Sequence, residues 1–348
     1  MIRPGRQALY GAIVLALCLT LAACSGGDYS SPTAATVSTP AAPSGTTPAP
    51  TPTPTPTATT VTASVSSLTL SVNDPSLNAA LTGNPRQLTI TNTGTADALD
   101  VTVTMSPSLP AGTTVSPASC ATIPANGGTC VLTFTPGSTP TAAVGNTSPV
   151  PDVASIVGSN TNTVTSEVAV VTYGNVYQSG YIFSVDDTTA TTGSIGAKVA
   201  ALTDQSTGIE WGGFGTLTNA SSLTDGASNS TAIVTTLGTG TSYAAGLCSQ
   251  SIGGYSDWYL PAICELGYGT NPSCGTSASP LAQNLQSSLV DNGNVGAMSG
   301  YYWSSSEYSA SPQNIAWLQY AATGGGSAQF DILKLDAFKV RCVRAATN

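Results

Sequence analysis

The stretch Leu99-Asp-Val-Thr-Val-Thr-Met105 alternates apolar and polar side chains at every position. Successive side chains of a β-strand point to opposite faces of a sheet, so this period of two predicts a strand with one buried and one solvated face. Residues 68–72 and 88–91 show the same alternation. A strand pattern therefore decides the first part of the fold.

Turn sequences separate these alternating runs. Asn92-Thr-Gly94 and Leu109-Pro-Ala-Gly112 supply turns, and Pro136-Gly137 ends a later strand from which Leu132 and Phe134 are expected to point inward. Short strands across residues 63–172 predict a two-sheet β-sandwich of immunoglobulin type.

Two stretches of this region, Leu88–Gly94 and Cys120–Pro136, resemble the immunoglobulin-like repeats of bacterial surface proteins. A fold of this kind does not specify a function. The resemblance implies a spacer or interaction module without a ligand site of its own.

Composition narrows the class of protein. The length of 348 residues predicts two folded units plus a tail, and the charged fraction of only 7% favours β-rich extracellular modules. The net charge of -9 argues against a nucleic-acid or other polyanion partner. The chain contains no histidine, which excludes Ser-His and Cys-His nucleophile systems and histidine-ligated metal sites.

The N-terminus has the features of an export signal. Arg3 and Arg6 precede an apolar run over residues 9–23, which is too short to be a typical membrane-spanning helix. Leu21-Ala-Ala-Cys24 resembles the lipobox of bacterial lipoproteins, which implies cleavage after residue 23 and a lipid anchor on Cys24. Ser25 at the next position implies the outer membrane. The alternative is an ordinary signal peptide with an incidental cysteine.

Residues 24–62 are rich in Ser, Thr, Ala and Pro and include a Pro-Thr repeat at positions 50–57. Such a composition cannot build a core, and it favours an extended polyproline II chain. We expect a disordered linker that holds the folded parts away from the membrane.

The last part of the chain holds all four tryptophans and five motifs in a fixed order. The motifs are Ala201–Trp211, Gly253–Pro261 with Glu265-Leu266, Tyr302–Glu307, Ala316-Trp317 and Val340–Arg344. Together they resemble the C-terminal domain of Legionella collagen-like proteins, a domain of unknown function related to the C-type-lectin-like and formylglycine-generating-enzyme folds. The chain is thus expected to be multidomain, an all-β immunoglobulin-like sandwich followed by an α+β C-type-lectin-like domain over residues 173–348.

This resemblance also implies two helices. Residues 229–250 would supply one, and Leu281, Leu285 and Leu289 show the spacing of an apolar helical stripe over 281–289. The sequence has no Gly-X-Y repeat, so the trimer of the collagen-like relatives is not carried over.

After removal of the signal, which contains Cys18, six cysteines remain besides Cys24, and an even count is typical of an oxidising compartment. The domain split sets Cys120 apart with Cys130 and leaves three pairings for the other four cysteines. We predict Cys264 with Cys274, which flank a short loop, and Cys248 with Cys342, which would join the first helix to the last strand. A metal site is the rival, but paired C-x-x-C units are missing.

Several polar residues are candidates for ligand contact. A basic edge is formed by Lys334, Lys339, Arg341 and Arg344. In the family that the sequence resembles, members implicated in adhesion bind sulfated glycans. Eleven acidic residues in the same domain weaken that interpretation.

Aromatic and acidic pairs form a second group of candidates. Asp257-Trp258 and residues 303–307 bring polar groups to aromatic rings, as sugar sites do, although core and turn roles are preferred. Asp186-Asp187 is a candidate calcium pair, but such a pair is usually solvated, and the lectin calcium motifs Glu-Pro-Asn and Trp-Asn-Asp are absent.

These features predict a surface-exposed outer-membrane lipoprotein that acts as a non-catalytic adhesin or glycan/protein-binding module. The expected partners are the membrane, through the lipid anchor, and a host or matrix glycan or protein; no nucleic acid, cofactor or metal is expected. The alternatives are a structural envelope protein and an enzyme related to formylglycine-generating enzymes, whose chemistry needs reactive cysteines.

Overall fold

The computed structural model describes residues 54–145 and 151–346. These residues are mostly β-sheet, with few helices. The strands are β1 (Val61–Ala63), β2 (Ser67–Ser71), β3 (Arg86–Asn92), β4 (Ala98–Ser106), β5 (Thr114–Ser116), β6 (Ser119–Ile123), β7 (Thr129–Thr135), β8 (Asp152–Val157), β9 (Val164–Val171), β10 (Val176–Tyr177), β11 (Gly180–Asp186), β12 (Gly196–Ala201), β13 (Ser206–Glu210), β14 (Gly300–Glu307), β15 (Ile315–Ala321), β16 (Ala328–Leu333), β17 (Ala337–Val340) and β18 (Val343–Ala346). The helices are α1 (Gly226–Leu237), α2 (Ala244–Cys248), α3 (Ile263–Leu266) and the π-helical turn α4 (Gln286–Val290).

The first nine strands form two sheets, in the orders β1-β3-β7-β5 and β2-β9-β8-β4-β6. The pairing of β2 with β9 is parallel, and the other pairings in these two sheets are antiparallel. Leu88 and Phe134 from one sheet share a hydrophobic cluster with Leu70 and Val168 from the other. The two sheets therefore pack face to face, and Leu132 and Phe134 point inward as predicted.

Strand β2 departs from the expected alternation of buried and solvated side chains. Thr69 and Ser71 should lie on a solvated face, but their exposed fractions are 1% and 0%. The loop before β12 covers them, because Ser194 Oγ accepts a hydrogen bond from Thr69 N at 2.8 Å and Ile195 N donates to the Thr69 carbonyl at 3.0 Å. Residues beyond 172 thus complete the burial of this strand.

Asp187 is the centre of the contact between strands β2 and β3 and the residues beyond 172. One carboxylate oxygen pairs with Arg86 Nη2 at 2.7 Å, and the other accepts from the hydroxyls of Ser71 and Thr82 and from Asn84 N. Both charged side chains are buried, so the expectation of a solvated acidic pair is wrong for Asp187. Burial acts to raise the pKa of Asp187, but the hydrogen bonds outweigh it and hold that pKa below its usual value. We call Asp187, Arg86, Ser71, Thr82 and Asn84 the Asp187 cluster.

The remaining strands form a sheet in the order β10-β11-β12-β18 and a sheet in the order β13-β17-β14-β15-β16. The helix predicted over residues 229–250 is instead α1 followed by α2, with Gly238 at φ 83° ending the first. Asp225 caps the start of α1 through Ser228 N.

The helix predicted over residues 281–289 forms only at its end, as α4. Leu281 is 59% exposed, and its N–H donates to the Cys274 carbonyl. This bond to the preceding loop removes Leu281 from the helix, so the apolar stripe is reduced to Leu285 and Leu289.

Three disulfides join Cys120 to Cys130, Cys248 to Cys342 and Cys264 to Cys274, the pairs expected from the sequence. The second bond connects α2, the second helix, to the residues between β17 and β18. Among the described residues, no helix is both long enough and apolar enough to cross a membrane.

Candidate functional site

Four aromatic side chains lie together on one face of the last sheet: Tyr301, Tyr320, Phe330 and Phe338. The exposed fraction is 44% for Tyr301 and 40% for Phe330, whereas Tyr320 and Phe338 are half-buried. Tyr301 is central, because its ring centroid lies 4.8 Å from that of Tyr320, 5.9 Å from Phe338 and 6.0 Å from Phe330. We call these four residues the aromatic face.

Strand register explains why these rings meet. Tyr301 of β14 pairs with Tyr320 of β15, and Phe330 of β16 pairs with Leu318 of β15, two residues before Tyr320. Directly paired residues of antiparallel strands share a face, and so do residues two apart in one strand. Three of the rings therefore collect on one side of the adjacent strands β14, β15 and β16, and Phe338 lies on β17, which pairs with β14 on its other side.

The neighbouring Tyr302 points the other way and is fully buried. Its hydroxyl donates to Asp204 at 3.1 Å. Burial, followed by the Asp204 charge, raises the pKa of Tyr302 to about 12. Of these two adjacent tyrosines, only Tyr301 presents its ring to solvent.

A groove of about 370 Å³ borders the aromatic face, lined by Thr207, Ser299, Gly300, Tyr301, Ala337, Phe338 and Lys339. The Lys339 ammonium donates to the Ser299 carbonyl at 2.8 Å and lies 3.9 Å from an oxygen of Asp204. The groove thus combines two rings of the aromatic face with hydroxyl groups and one cation.

The other three residues of the expected basic edge do not reach solvent. Lys334, Arg341 and Arg344 are each at most 2% exposed. Because a buried cation needs a carboxylate partner, each of them is held by an acidic residue of the chain. The prediction that these three side chains contact a ligand is therefore wrong.

Lys334 pairs with Glu307 at 2.7 Å and lies over the Trp211 ring, 4.1 Å from its centroid. Burial lowers the pKa of Lys334, and Glu307 opposes this effect.

Arg341 pairs with Asp204 at 2.7 Å. Arg344 donates to both oxygens of Asp257, at 2.7 and 3.0 Å, and its guanidinium stacks on Tyr255. The hydrogen bonds from Arg344 have the largest effect on the Asp257 carboxyl, and they lower its pKa below the usual value.

The other aromatic candidates are internal. Trp258 is 4% exposed, and its indole N–H donates to the Ile252 carbonyl at 2.9 Å. Trp303 is fully buried and donates to the Ile209 carbonyl at 2.9 Å. Ser304 to Ser306 are fully buried, as preferred from the sequence for core residues.

The carboxylates of Asp186 and Asp187 each accept hydrogen bonds from groups of the chain. Asp186 accepts from the backbone and the hydroxyl of Thr188, and these hydrogen bonds lower its pKa. In the described part of the chain, no three His, Cys, Asp or Glu side chains converge to hold a metal ion. Cys24, the expected lipidation site, lies outside the described residues.

The aromatic face itself was not predicted from the sequence. Tyr301-Tyr302 gives no indication of which ring points outward, and Phe330 and Phe338 lie in strands whose pairing depends on the whole sheet. The only available signal was the period-two placement of Tyr301 with Trp303 and of Tyr320 with Leu318.

Over its described residues, the chain is a mostly β protein of four sheets with three disulfides. Its residues 200–344 match the family model of the Lcl C-terminal domain, in agreement with the resemblance of the five motifs. A comparison with curated proteins finds no match.

Among solved structures, a similar chain is the ASH / PapD-like domain of human CEP192 (PapD-like domain 7). The sequences are 13% identical and the TM-score is 0.22. The alignment covers 37% of this chain and 94% of that one.

Proposed function

We propose that the protein is a non-catalytic binding module of the adhesin kind, displayed by a lipid anchor at Cys24 on the outer membrane. The observation that carries this proposal is the aromatic face, where Tyr301 and Phe330 expose 44% and 40% of their surface. Exposed aromatic clusters on soluble domains often mark interaction sites, because burial against a partner removes them from water. The aromatic face is thus the proposed contact surface.

The order of segments along the chain supports display. The signal and Cys24 come first, the Pro-Thr linker follows, and the folded residues come last. In this proposal, residues 63–172 are an immunoglobulin-like spacer and residues 173–348 a C-type-lectin-like domain. The Asp187 cluster fixes the spacer to residues beyond 172, so the aromatic face would be held on a rigid support.

The cysteines do not support the alternative function, that of an enzyme related to formylglycine-generating enzymes. That chemistry needs reactive thiols, whereas the six cysteines of the described residues form three disulfides. Disulfide cysteines are not nucleophiles.

Adhesion of cells that carry the full-length protein tests the contact surface. Cells with wild-type protein should bind surfaces coated with matrix glycans or proteins, and cells with the double variant Tyr301→Ala/Phe330→Ala should lose most of that binding. Leu335→Ala is the matched control, because Leu335 is 51% exposed but is not part of the aromatic face. No binding by wild-type cells, or equal binding by the double variant, would overturn the proposal.

Display is tested separately on intact cells. Metabolic palmitate labelling should disappear in Cys24→Ala, since the thiol is the proposed acylation site. Added protease should degrade the folded part without cell lysis. Labelling that persists in the variant contradicts the anchor, and full protection from protease contradicts surface exposure.

A further inference from the structure

Every basic side chain in the described residues has a carboxylate partner. Arg86 pairs with Asp187, Lys198 with Glu265, Lys334 with Glu307, Arg344 with Asp257, and both Lys339 and Arg341 with Asp204. Four of the six are also buried: Arg86, Lys334, Arg341 and Arg344. The cations of the described residues are therefore paired with carboxylates of the same chain.

A polyanion needs the opposite arrangement. Binding to a highly charged chain gains free energy when several unpaired Lys or Arg side chains neutralise its charges and release counterions. The chain has 17 acidic residues against 8 basic ones, so unpaired carboxylates dominate its charge and repel an anionic partner. Lys339, at the edge of the aromatic face, lies 3.9 Å from a carboxylate oxygen of Asp204, which also pairs with Arg341.

The size of the aromatic face argues against a protein partner. An aromatic side chain has roughly 200 Å² of surface, so four that are each less than half exposed offer at most about 400 Å². A stable protein interface buries about 800 Å² on each partner. The groove beside the face, of about 370 Å³, lies near the lower end of the range for small-ligand pockets.

The chemistry of the face fits a sugar ring. The rings of Tyr320 and Phe330 are inclined by 45° and 61° to that of Tyr301, which makes a stepped surface with several ring faces. Such faces suit the C–H side of a pyranose, and the hydroxyl groups of Tyr301, Thr207 and Ser299, which line the groove, are available to hydrogen-bond its O–H groups. None of these contacts requires a charge on the ligand.

We infer that the aromatic face and its groove bind an uncharged glycan and discriminate against sulfated ones. This inference rests on the proposed function and specifies the ligand of the same site. Because the contacts are apolar and neutral, binding should depend little on salt.

The test uses the full-length protein in detergent with a panel of uncharged glycans, each paired with a sulfated form of the same backbone, such as dextran with dextran sulfate. At least one uncharged glycan should bind, its sulfated form should bind more weakly, and its Kd should change less than about twofold between about 50 and about 500 mM NaCl. Tyr301→Ala/Phe330→Ala should weaken binding by at least about tenfold, a loss of about 1.4 kcal/mol.

Two controls separate the outcomes. Leu335→Ala should change the Kd less than about twofold, and thermal unfolding of all variants should show that they fold. Stronger binding of the sulfated forms, with a salt-induced loss of more than about tenfold and sensitivity to Lys339→Ala, would overturn the inference and leave the proposed function standing. Binding of protein ligands without binding of any glycan would also overturn the inference. If no ligand of either kind binds, both the inference and the proposed function are wrong.

Discussion

The Asp187 cluster and the aromatic face depart from the usual distribution of side chains in opposite directions. The cluster buries two opposite charges, with Arg86 at 0% and Asp187 at 4% exposure, whereas the face exposes large rings. Both Asp187 oxygens have partners within the chain. The rings of Tyr301 and Phe330 contact each other and remain 44% and 40% exposed. The comparison teaches that buried polar groups with partners stabilise this fold, whereas the exposed rings form the surface that we propose binds a ligand.

The largest effect is expected from Asp187→Ala. It leaves the Arg86 guanidinium buried without its carboxylate, which should lower the free energy of unfolding by about 3–5 kcal/mol. Denaturant unfolding of the protein measures the change. Asp186→Ala is the matched control, because Asp186 is solvent-exposed, and it should cost less than about 1 kcal/mol. Equal losses in the two variants would show that the cluster does not stabilise the fold.

A second test compares a buried with an exposed phenylalanine. Phe183 is fully buried and Phe330 is 40% exposed. Phe183→Ala should lower the free energy of unfolding by about 3–5 kcal/mol, whereas Phe330→Ala should lower it by about 1 kcal/mol. Denaturant unfolding of the two variants decides this. If Phe330→Ala destabilises as much as Phe183→Ala, the aromatic face is part of the core.

The smallest effect concerns acid. The pKa of Asp187 is lower in the folded chain than its ordinary value of about 3.9, so its stabilising contribution is complete above that pH and is lost as pH falls through the folded pKa. Unfolding free energies measured between about pH 6 and about pH 2 should therefore fall less steeply in Asp187→Ala than in the wild type. Asp186, Asp225 and Asp257 also have lowered pKa values, so the variant keeps part of the slope. Parallel curves would contradict the role of Asp187.

The sequence located four of the nine strands of the first two sheets, β2, β3, β4 and β7, because each of these shows a local alternation. Leu88 and Ile90 are both fully buried, as their period-two pattern indicates. It predicted the helices less well. A glycine at φ 83° divides the first, and a hydrogen bond from Leu281 to the Cys274 carbonyl shortens the second. Both departures depend on local turns that an apolar period does not report.

The candidate site was also predicted only in part from the sequence. Lys334, Lys339, Arg341 and Arg344 formed a cluster in the sequence, but spacing alone carries no information about partners. Glu307, Asp204 and Asp257 come from distant positions and neutralise these cations. The aromatic face also combines strands that are separated in the chain, so its rings could not be grouped before the sheet order was known.

The sequence by itself determined the β-rich class and the strand alternation, because these depend on composition and on short-range periodicity, whereas the cysteine count and the domain split left three pairings for the last four cysteines. Only the tertiary structure decided which face of β2 is covered, which cations are neutralised and which rings remain exposed. Solvent exposure and ion pairing are set by residues far apart in the chain, and a linear pattern cannot report a neighbour that arrives from a hundred positions away.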